Sequence, residues 1–443
     1  MKSNTMKKLF FILGILIIPV NVLFCQQNGI WSLKDCITYA VENNVTVKKS
    51  VLDKTTTEVN YQQQKYNRLP SVAGSLSANL SNGSAIDPVT SDFVDQQIFS
   101  NNVGINAQMI LFQGNSLNLQ IEKNEILVKQ SELYLQEAKN NITLSVLESY
   151  LQALYYYEGI KIAENALASS KEELSQAQKK YDNGAIAKLE LTDLETQHSN
   201  NQYTLVSNKN MYDQQVLSLK QLLELDPSTD FQIENISLEG LQILIPDKQE
   251  VFAKASELLP DLKIYDLNNE SLEKDVKIAK AGYFPTLSLT AGLNSGYTNT
   301  MDFIYREQLK NNFSQQVGLS LSIPVFSKKQ NKTNVKLAKL QIEQNELDKI
   351  AASKTLYSKI ETIYQNAVAN QAQQNASETA RNNAKLSYEL AGKKYEFGGL
   401  TATELSVSRN TYLNAEQTYL QSKYLTSLYQ QLLKFYQGES LTE

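Results

Sequence analysis

The sequence predicts an exported, mainly helical chain with a minority of β-strand, built as two equivalent halves whose strands lie in a membrane. Three observations carry this. The stretch KKYDNGAIAKLEL at 179–191 returns as KKYEFGGLTATEL at 393–405. Four short segments alternate apolar and polar residues. Two long runs, Asn115–Asp182 and Lys328–Ala391, hold no Pro and only one Gly, Gly159.

Composition sets the frame. The chain has 443 residues, a formal net charge of −5 and a pI near 5.4. A nucleic-acid binder usually shows a basic excess or stripe, so that class is excluded. With 8 Pro and 17 Gly, the balance favours long helices over a compact enzyme core. Lys7 and Lys8 precede the apolar run LFFILGILIIPVNVLF, and the chain turns polar at Gln26. This is the pattern of a signal peptide over residues 1–25. Lipoprotein processing needs a small residue before the Cys, and Phe24 before Cys25 is large. No later apolar run is long enough for a transmembrane helix. Once the leader is removed Cys36 stands alone, so no disulfide framework forms, and it reads as a small apolar helix residue.

The duplication covers nearly the whole mature chain. RLPSVAGSLSANLS at 68–81 resembles YFPTLSLTAGLNSG at 283–296, and VGINAQMILF at 103–112 resembles VGLSLSIPVF at 317–326. Such an interval is far longer than a solenoid repeat. The first repeat spans 26–225: a helix, a β-hairpin over about 70–112, a long helix, a tip over about 181–190 and a return helix. A linker covers 226–245. The second repeat, 246–443, has the same parts, with its hairpin over about 285–326 and its tip over about 395–404.

The alternating segments read as strands. In 72–81, Val72, Gly74, Leu76, Ala78 and Leu80 share one face, opposite Ala73, Ser75, Ser77, Asn79 and Ser81. In 103–111, Val103, Ile105, Ala107, Met109 and Leu111 oppose Gly104, Asn106 and Gln108. Segments 287–294 and 317–325 follow suit, with Leu289 and Leu319 on the apolar face and Ser288 and Ser320 on the other. About ten residues suits a tilted membrane-spanning strand, and a small hydroxyl-rich face suits water. Two half-buried hairpins on a soluble sheet are the alternative. Four strands cannot close a barrel, and open edges are not tolerated in lipid, so spanning strands require several chains. Two chains make eight strands, a width that side chains fill; three make twelve, with room for a pore.

The long runs read as helices of about 100 Å at about 1.5 Å per residue. Leu119, Ile126, Leu133, Leu147 and Leu154 keep a heptad spacing that Asn140 interrupts. Each KKY…G…EL then turns a helical hairpin. Gly184 and Gly398 suit the left-handed position after a helix end. Glu190 and Glu404 fall in the first turn of the returning helix, near its positive dipole end.

From WSLKDCITYAVENN at 31–44 through the LP and FP strand starts, the IPVF strand-to-helix junction and both KY..G tips, the chain resembles the TolC family of outer-membrane efflux channels. The resemblance implies a homotrimer, with a twelve-stranded β-barrel in the outer membrane continued by a twelve-helix α-barrel through the periplasm. It implies a passive conduit of a tripartite efflux or type I secretion system, gated at the periplasmic tips. The implied partners are a periplasmic adaptor (membrane fusion) protein, an inner-membrane pump of the RND or ABC type, and outer-membrane lipid. Residue by residue, Gly184, Ala185, Ile186, Gly398, Gly399 and Leu400 match the adaptor-contacting tips. Tyr181, Glu190, Tyr395 and Glu404 match the periplasmic gate. Leu400 and Val407 replace charges found in the best-known member, so its network of gate links is not carried over.

Other chemistry is absent from the pattern. His198 is the only His, reads as a solvated helix-face residue, and has no partner for a metal site. No catalytic triad, P-loop or phosphate loop is present, and no cofactor or catalytic residue is expected. Glu172-Glu173 reads as ordinary helix surface. Glu190 and Glu404 are open to two readings, helix-start caps or gate acids. Tyr155–Tyr157 and the C-terminal tyrosines (Tyr412, Tyr419, Tyr424, Tyr429, Tyr436) read as interhelical packing. A soluble periplasmic coiled-coil scaffold without a pore is the rival reading of the whole chain.

Overall fold

The computed structural model describes residues 29–86, 90–235, 245–439 and 441. The expected leader over 1–25 lies outside them, as do residues 236–244 of the linker. The first half runs β1 (Ile30–Trp31), α1 (Leu33–Asn43), α2 (Val45–Tyr66), β2 (Ser71–Ile86), β3 (Phe93–Gln113), α3 (Ser116–Asp182) and α4 (Lys188–Leu222). After β4 (Gln232–Ile233), the second half runs α5 (Lys248–Leu258), α6 (Pro260–Ala281), β5 (Thr286–Thr298), α7 (Tyr305–Asn311), β6 (Ser314–Ser322), α8 (Gln330–Glu396) and α9 (Ala402–Tyr436).

The halves match helix for helix, except that α7 between β5 and β6 has no counterpart between β2 and β3. α1 and α5 have 11 residues each, α2 and α6 have 22, α3 and α8 have 67, and α4 and α9 have 35. Local signals set the breaks. Ser32 and Asp35 form a capping box at the start of α1. Asn44 ends that helix and caps the next by accepting the Thr46 N–H at 2.8 Å. In the second half Pro260 opens α6, where its missing N–H costs nothing.

β2, β3, β5 and β6 form one antiparallel sheet in that order. Residues directly opposite share a face, so the register extends the two-residue period across all four strands. Val72, Ala107, Ala291 and Val317 make one apolar row, and Met109, Leu289 and Leu319 another. The reverse face holds rows such as Ala73, Asn106, Gly292 and Gln316, or Ser75, Gly104, Asn294 and Ser314. No side chain in these rows is ionisable. Carboxamides lie over glycines: a Cβ on Gly292 would sit 2.9 Å from Asn106 Oδ1 and 3.0 Å from Gln316 Nε2. The apolar face is bare, with Leu76 at 76% and Val317 at 79% exposure. Both outer strands, β2 and β6, keep an unpaired edge within the chain.

The second strand of each hairpin, β3 or β6, leads to a long helix through two consecutive left-handed residues. In the first half these are Gly114 and Asn115, and in the second Lys328 and Lys329. Gly114 is also sterically required, because a Cβ there would sit 2.8 Å from the Ala281 carbonyl oxygen. The main core lies midway along the helices, where α3, α8 and α9 meet the short helices around Leu147, Tyr150, Leu154, Ile360 and Leu433. Cys36 is fully buried there, and burial pushes its thiol up to about 12, so it is inert packing. The tyrosines pack between helices: Tyr155 meets Tyr424 edge-on at 6.2 Å. No helix among the described residues is long and apolar enough to cross a membrane.

Several sequence expectations need adjustment. The first hairpin is longer than its alternation suggested, with strands of 16 and 21 residues. A register shift between Ile110 and Phe112 leaves Leu111 without a cross-strand partner, and Phe112 takes the place opposite Leu287. β6 ends at Ser322, just before Pro324, which has no N–H for the ladder. The segment after α4 is not a bare linker, since β4 pairs in parallel with β1 and buries Ile233.

Candidate functional site: the helical tips

Both tips are built the same way. At the end of α3 the Gly184 N–H donates to the Tyr181 carbonyl at 2.8 Å, and the Ala185 N–H to the Lys180 carbonyl at 2.8 Å. At the end of α8 the Gly398 N–H donates to Tyr395 at 3.1 Å, and Gly399 to Lys394 at 2.8 Å. This nested pair satisfies carbonyls that a helix end otherwise leaves free. It needs a left-handed residue, and the two glycines supply it at φ +71° and +72°. Lys179, Lys180, Lys393 and Lys394 lie in the last turns, where cations meet the negative dipole end.

The two starts differ. Thr401 caps α9, accepting the Glu404 N–H at 3.2 Å, while Glu404 Oε2 accepts the Thr401 N–H at 2.9 Å. The Thr401 N–H, together with the Thr401 hydroxyl that donates to the same oxygen at 2.8 Å, holds the Glu404 carboxyl below its ordinary range. At the first tip Ala187 occupies the cap position and offers no side-chain oxygen. Glu190 reaches across instead and accepts the Ala402 N–H at 3.3 Å. Thr403 donates to Asp193 at 3.3 Å beside it.

The predicted tip residues are therefore brought together within one chain. Ile186 and Leu400 pack on a shared apolar cluster of Ala177, Leu191, Leu194, Tyr395, Ala402 and Leu405. Burying each leucine contributes about 1.5–3 kcal/mol. Tyr395 is only 5% exposed, with Lys180 Nζ 4.3 Å from its ring centre. Burial raises its hydroxyl pKa, with the Glu190 charge adding to the effect. Tyr181 is exposed, near Lys188. Gly184, Ala185, Gly398 and Gly399 form the exposed apex.

Sequence reasoning missed three features. Phe397 is 89% exposed at the apex of the second tip, where the first has Asn183. A large aromatic beside a turn glycine was the available signal. Glu173 is not ordinary surface: its carboxylate meets Arg409, which is 1% exposed. Nothing local announces a pairing so distant in sequence. His198 is half-buried between α3 and α4, sharing a hydrogen bond with Ser170 Oγ at 3.2 Å, rather than solvated. Among the described residues no cluster of His, Cys, Asp and Glu could hold a metal ion.

The architecture agrees with known proteins. Three solved structures share the fold across most of their length. The outer membrane protein VceC of Vibrio cholerae is 16% identical, with 93% of this chain and 97% of that one covered and a TM-score of 0.75. The CmeC outer membrane channel of Campylobacter jejuni is 18% identical, at 93% and 86% coverage and a TM-score of 0.76. The open-state MtrE outer membrane channel of Neisseria gonorrhoeae is 18% identical, at 93% and 90% coverage and a TM-score of 0.75. No protein of curated function matches the sequence. The profile of the outer membrane efflux protein family matches residues 37–224 and 252–438, one match per repeat. The chain thus belongs to the outer membrane efflux protein family, and is a TolC-like, non-enzymatic channel protein of the outer membrane that extends into the periplasm.

Proposed function

We propose that three copies of this chain form a passive conduit whose periplasmic mouth is gated at the helical tips. The observation that carries the reading is the four-stranded sheet with one bare apolar face and two unpaired edges. Such edges cannot stand in lipid, because no water satisfies their backbone groups. Pairing β2 of one protomer with β6 of the next removes every edge, and three copies then close twelve strands around the carboxamide-lined face. The helices continue as a twelve-membered tunnel. Native mass measurement of the detergent-extracted protein tests the stoichiometry: a trimer is expected, and a stable monomer or dimer rejects it.

At the mouth, the Gly184–Ala185–Ile186 and Gly398–Gly399–Leu400 turns form the docking surface for a periplasmic adaptor protein. That adaptor joins the channel to an inner-membrane pump of the RND or ABC type, which selects the cargo. Phe397 adds an aromatic anchor to the surface. Tyr181, Glu190, Tyr395 and Glu404 make up the gate region, with Tyr395 acting through packing between the hairpins because it is buried. Site-specific crosslinking from Ala185 and Gly399 in cells that hold the cognate pump tests this assignment. Capture of an adaptor is the expected result.

A further inference from the structure

A notch opens midway along the protomer, where one helix gives way to another. α3 and α8 run unbroken past this level, but between them α9 ends at Tyr436 and α6 begins at Pro260. The matching junction in the first half is tied by a side chain. Asn44, which precedes α2, donates from Nδ2 to the carbonyl of Leu222, the last residue of α4, at 2.9 Å. Leu259 precedes α6 and carries no such donor, and Pro260 has no N–H. A cavity of about 980 Å³ lies there, lined by α3, α8 and α9. Small-molecule sites commonly occupy about 300–1,000 Å³.

The lining suits a ligand with two unlike ends. Leu144, Leu432 and Tyr436 are buried in the wall and offer it apolar surface. Lys354, Lys359 and Glu148 also line the cavity and are exposed. None of these three forms an ion pair among the described residues. Lys359 Nζ lies 5.7 Å from the Tyr436 ring centre. Desolvation works against the Lys359 charge, but the Tyr436 hydroxyl and the Asp261 and Glu148 carboxylates outweigh it and raise the ammonium above its ordinary range. The cavity therefore sets two cations against one carboxylate, beside an apolar floor.

Its direction follows from the helix faces. On α3 the Tyr150 hydroxyl donates to the Glu234 carbonyl at 2.9 Å, beside β4, and Glu148 lies on the opposite side of that helix. On α8 Tyr357 meets Phe252 of α5 with ring centroids 5.3 Å apart, and Lys359 lies opposite. The notch thus opens away from the layer that holds α5 and β4. A clear passage requires that layer to lie outside the helical tunnel, so the notch faces the bore.

We propose that the notch is a binding site in the tunnel wall, one per protomer, for amphipathic organic anions: an apolar or aromatic body on the floor, and a sulfonate or carboxylate on Lys354 and Lys359. The inference rests on the trimeric conduit reading above. Full-length channels in planar bilayers test it, with naphthalene sulfonate added on the barrel side, from which the notch is reached without passing the tips. Block of the wild-type channel is expected. Methanesulfonate, which lacks the apolar body, should not block at the same concentration. Lys354→Gln/Lys359→Gln should raise the half-blocking concentration about ten-fold or more, because bonds to charged groups are lost, and Glu148→Gln should lower it. Naphthylmethylammonium, the same body with a cationic group, should block the double lysine variant at least as well as wild type. Conducting wild-type channels that naphthalene sulfonate leaves unblocked overturn the proposal, as does equal block in the double lysine variant. If that variant fails to assemble, Lys359→Gln alone decides by the same comparison. A wild-type preparation without trimers or conductance instead removes the trimeric reading, and the notch's place on the bore with it.

Discussion

The Glu190 carboxylate accepts the backbone N–H of Ala402 at 3.3 Å, so the first tip caps the helix that leaves the second. The cause is a single residue. Thr401 supplies the second tip with its own cap, whereas Ala187 leaves the first without one. Ala187→Thr is therefore expected to draw Glu190 back into a local capping box. That stabilises the start of α4 by about 1 kcal/mol and loosens the link between the tips. Thr401→Ala is expected to cost about 1 kcal/mol at the start of α9. Amide exchange around 187–191 and 401–405 reads both changes. Faster exchange at Ala402 in Ala187→Thr is the specific signature.

The same geometry fixes a pH dependence. Glu404 is held below its ordinary range by the Thr401 N–H and hydroxyl. A lowered carboxylate stabilises the fold above the unfolded-state value of about 4.3 and loses that contribution as pH falls through the folded value. The α9 cap should thus be intact from neutral pH down to the ordinary carboxylate range and fail only in stronger acid. Mobility of a spin label at Ser406, followed from pH 7 downward, checks this: an onset above the ordinary range contradicts it.

The sheet makes a prediction about faces. Leu76 and Leu289 lie on the bare apolar side, and Ser75 and Ser288 on the carboxamide side. An arginine facing lipid near mid-depth costs about 2–4 kcal/mol. Leu76→Arg and Leu289→Arg should therefore depress membrane assembly, while Ser75→Arg and Ser288→Arg should assemble and narrow the pore. Heat-resistant trimer yield and conductance separate the two classes. Equal yields reject the face assignment.

Phe397 allows a direct test of adaptor docking. Its ring is exposed on a turn, and removing it costs the isolated protomer little packing. Phe397→Ser is expected to preserve trimers, weaken adaptor crosslinking from Gly399 and lower efflux. Unchanged adaptor capture would leave the ring without a role there.

Much of this architecture was legible because it is written twice. A shared tip motif and shared strand starts placed equivalent helices in both halves, and the turn glycines indicated their own backbone conformation. Period-two alternation found the strands but not their ends. At Leu111 a bulge interrupts the period, and beyond Asn82 the apolar signal weakens although the ladder continues to Ile86. The short pairing of β1 with β4 has no period at all. Glu173 and Arg409 escaped because each looks like any charged residue on a long helix. Their burial is decided by which helices pack together, information that no local stretch contains. Glu190 was placed correctly in a first helical turn, but its bond to Ala402 depends on the neighbouring tip.

The charge of the mouth can be separated from its capping. Under three-fold symmetry Glu190 and Glu404 would each place three carboxylates around the axis. Like charges at close range repel, and cations relieve that repulsion. Glu404 keeps its charge while it serves as a cap, so the two roles coexist. Glu190→Gln/Glu404→Gln removes the charge, whereas Thr401→Ala removes the cap hydroxyl and leaves both carboxylates. The barrel rows described above hold no ionisable side chain, so they supply no fixed charge to mask the effect. Planar-bilayer recordings are expected to show cation preference and divalent block in wild type and in Thr401→Ala. Both should fall in the double glutamine variant, most clearly at low salt where screening is weak. Selectivity and divalent block unchanged in the double variant would reject a carboxylate ring and leave Glu190 and Glu404 as helix caps alone.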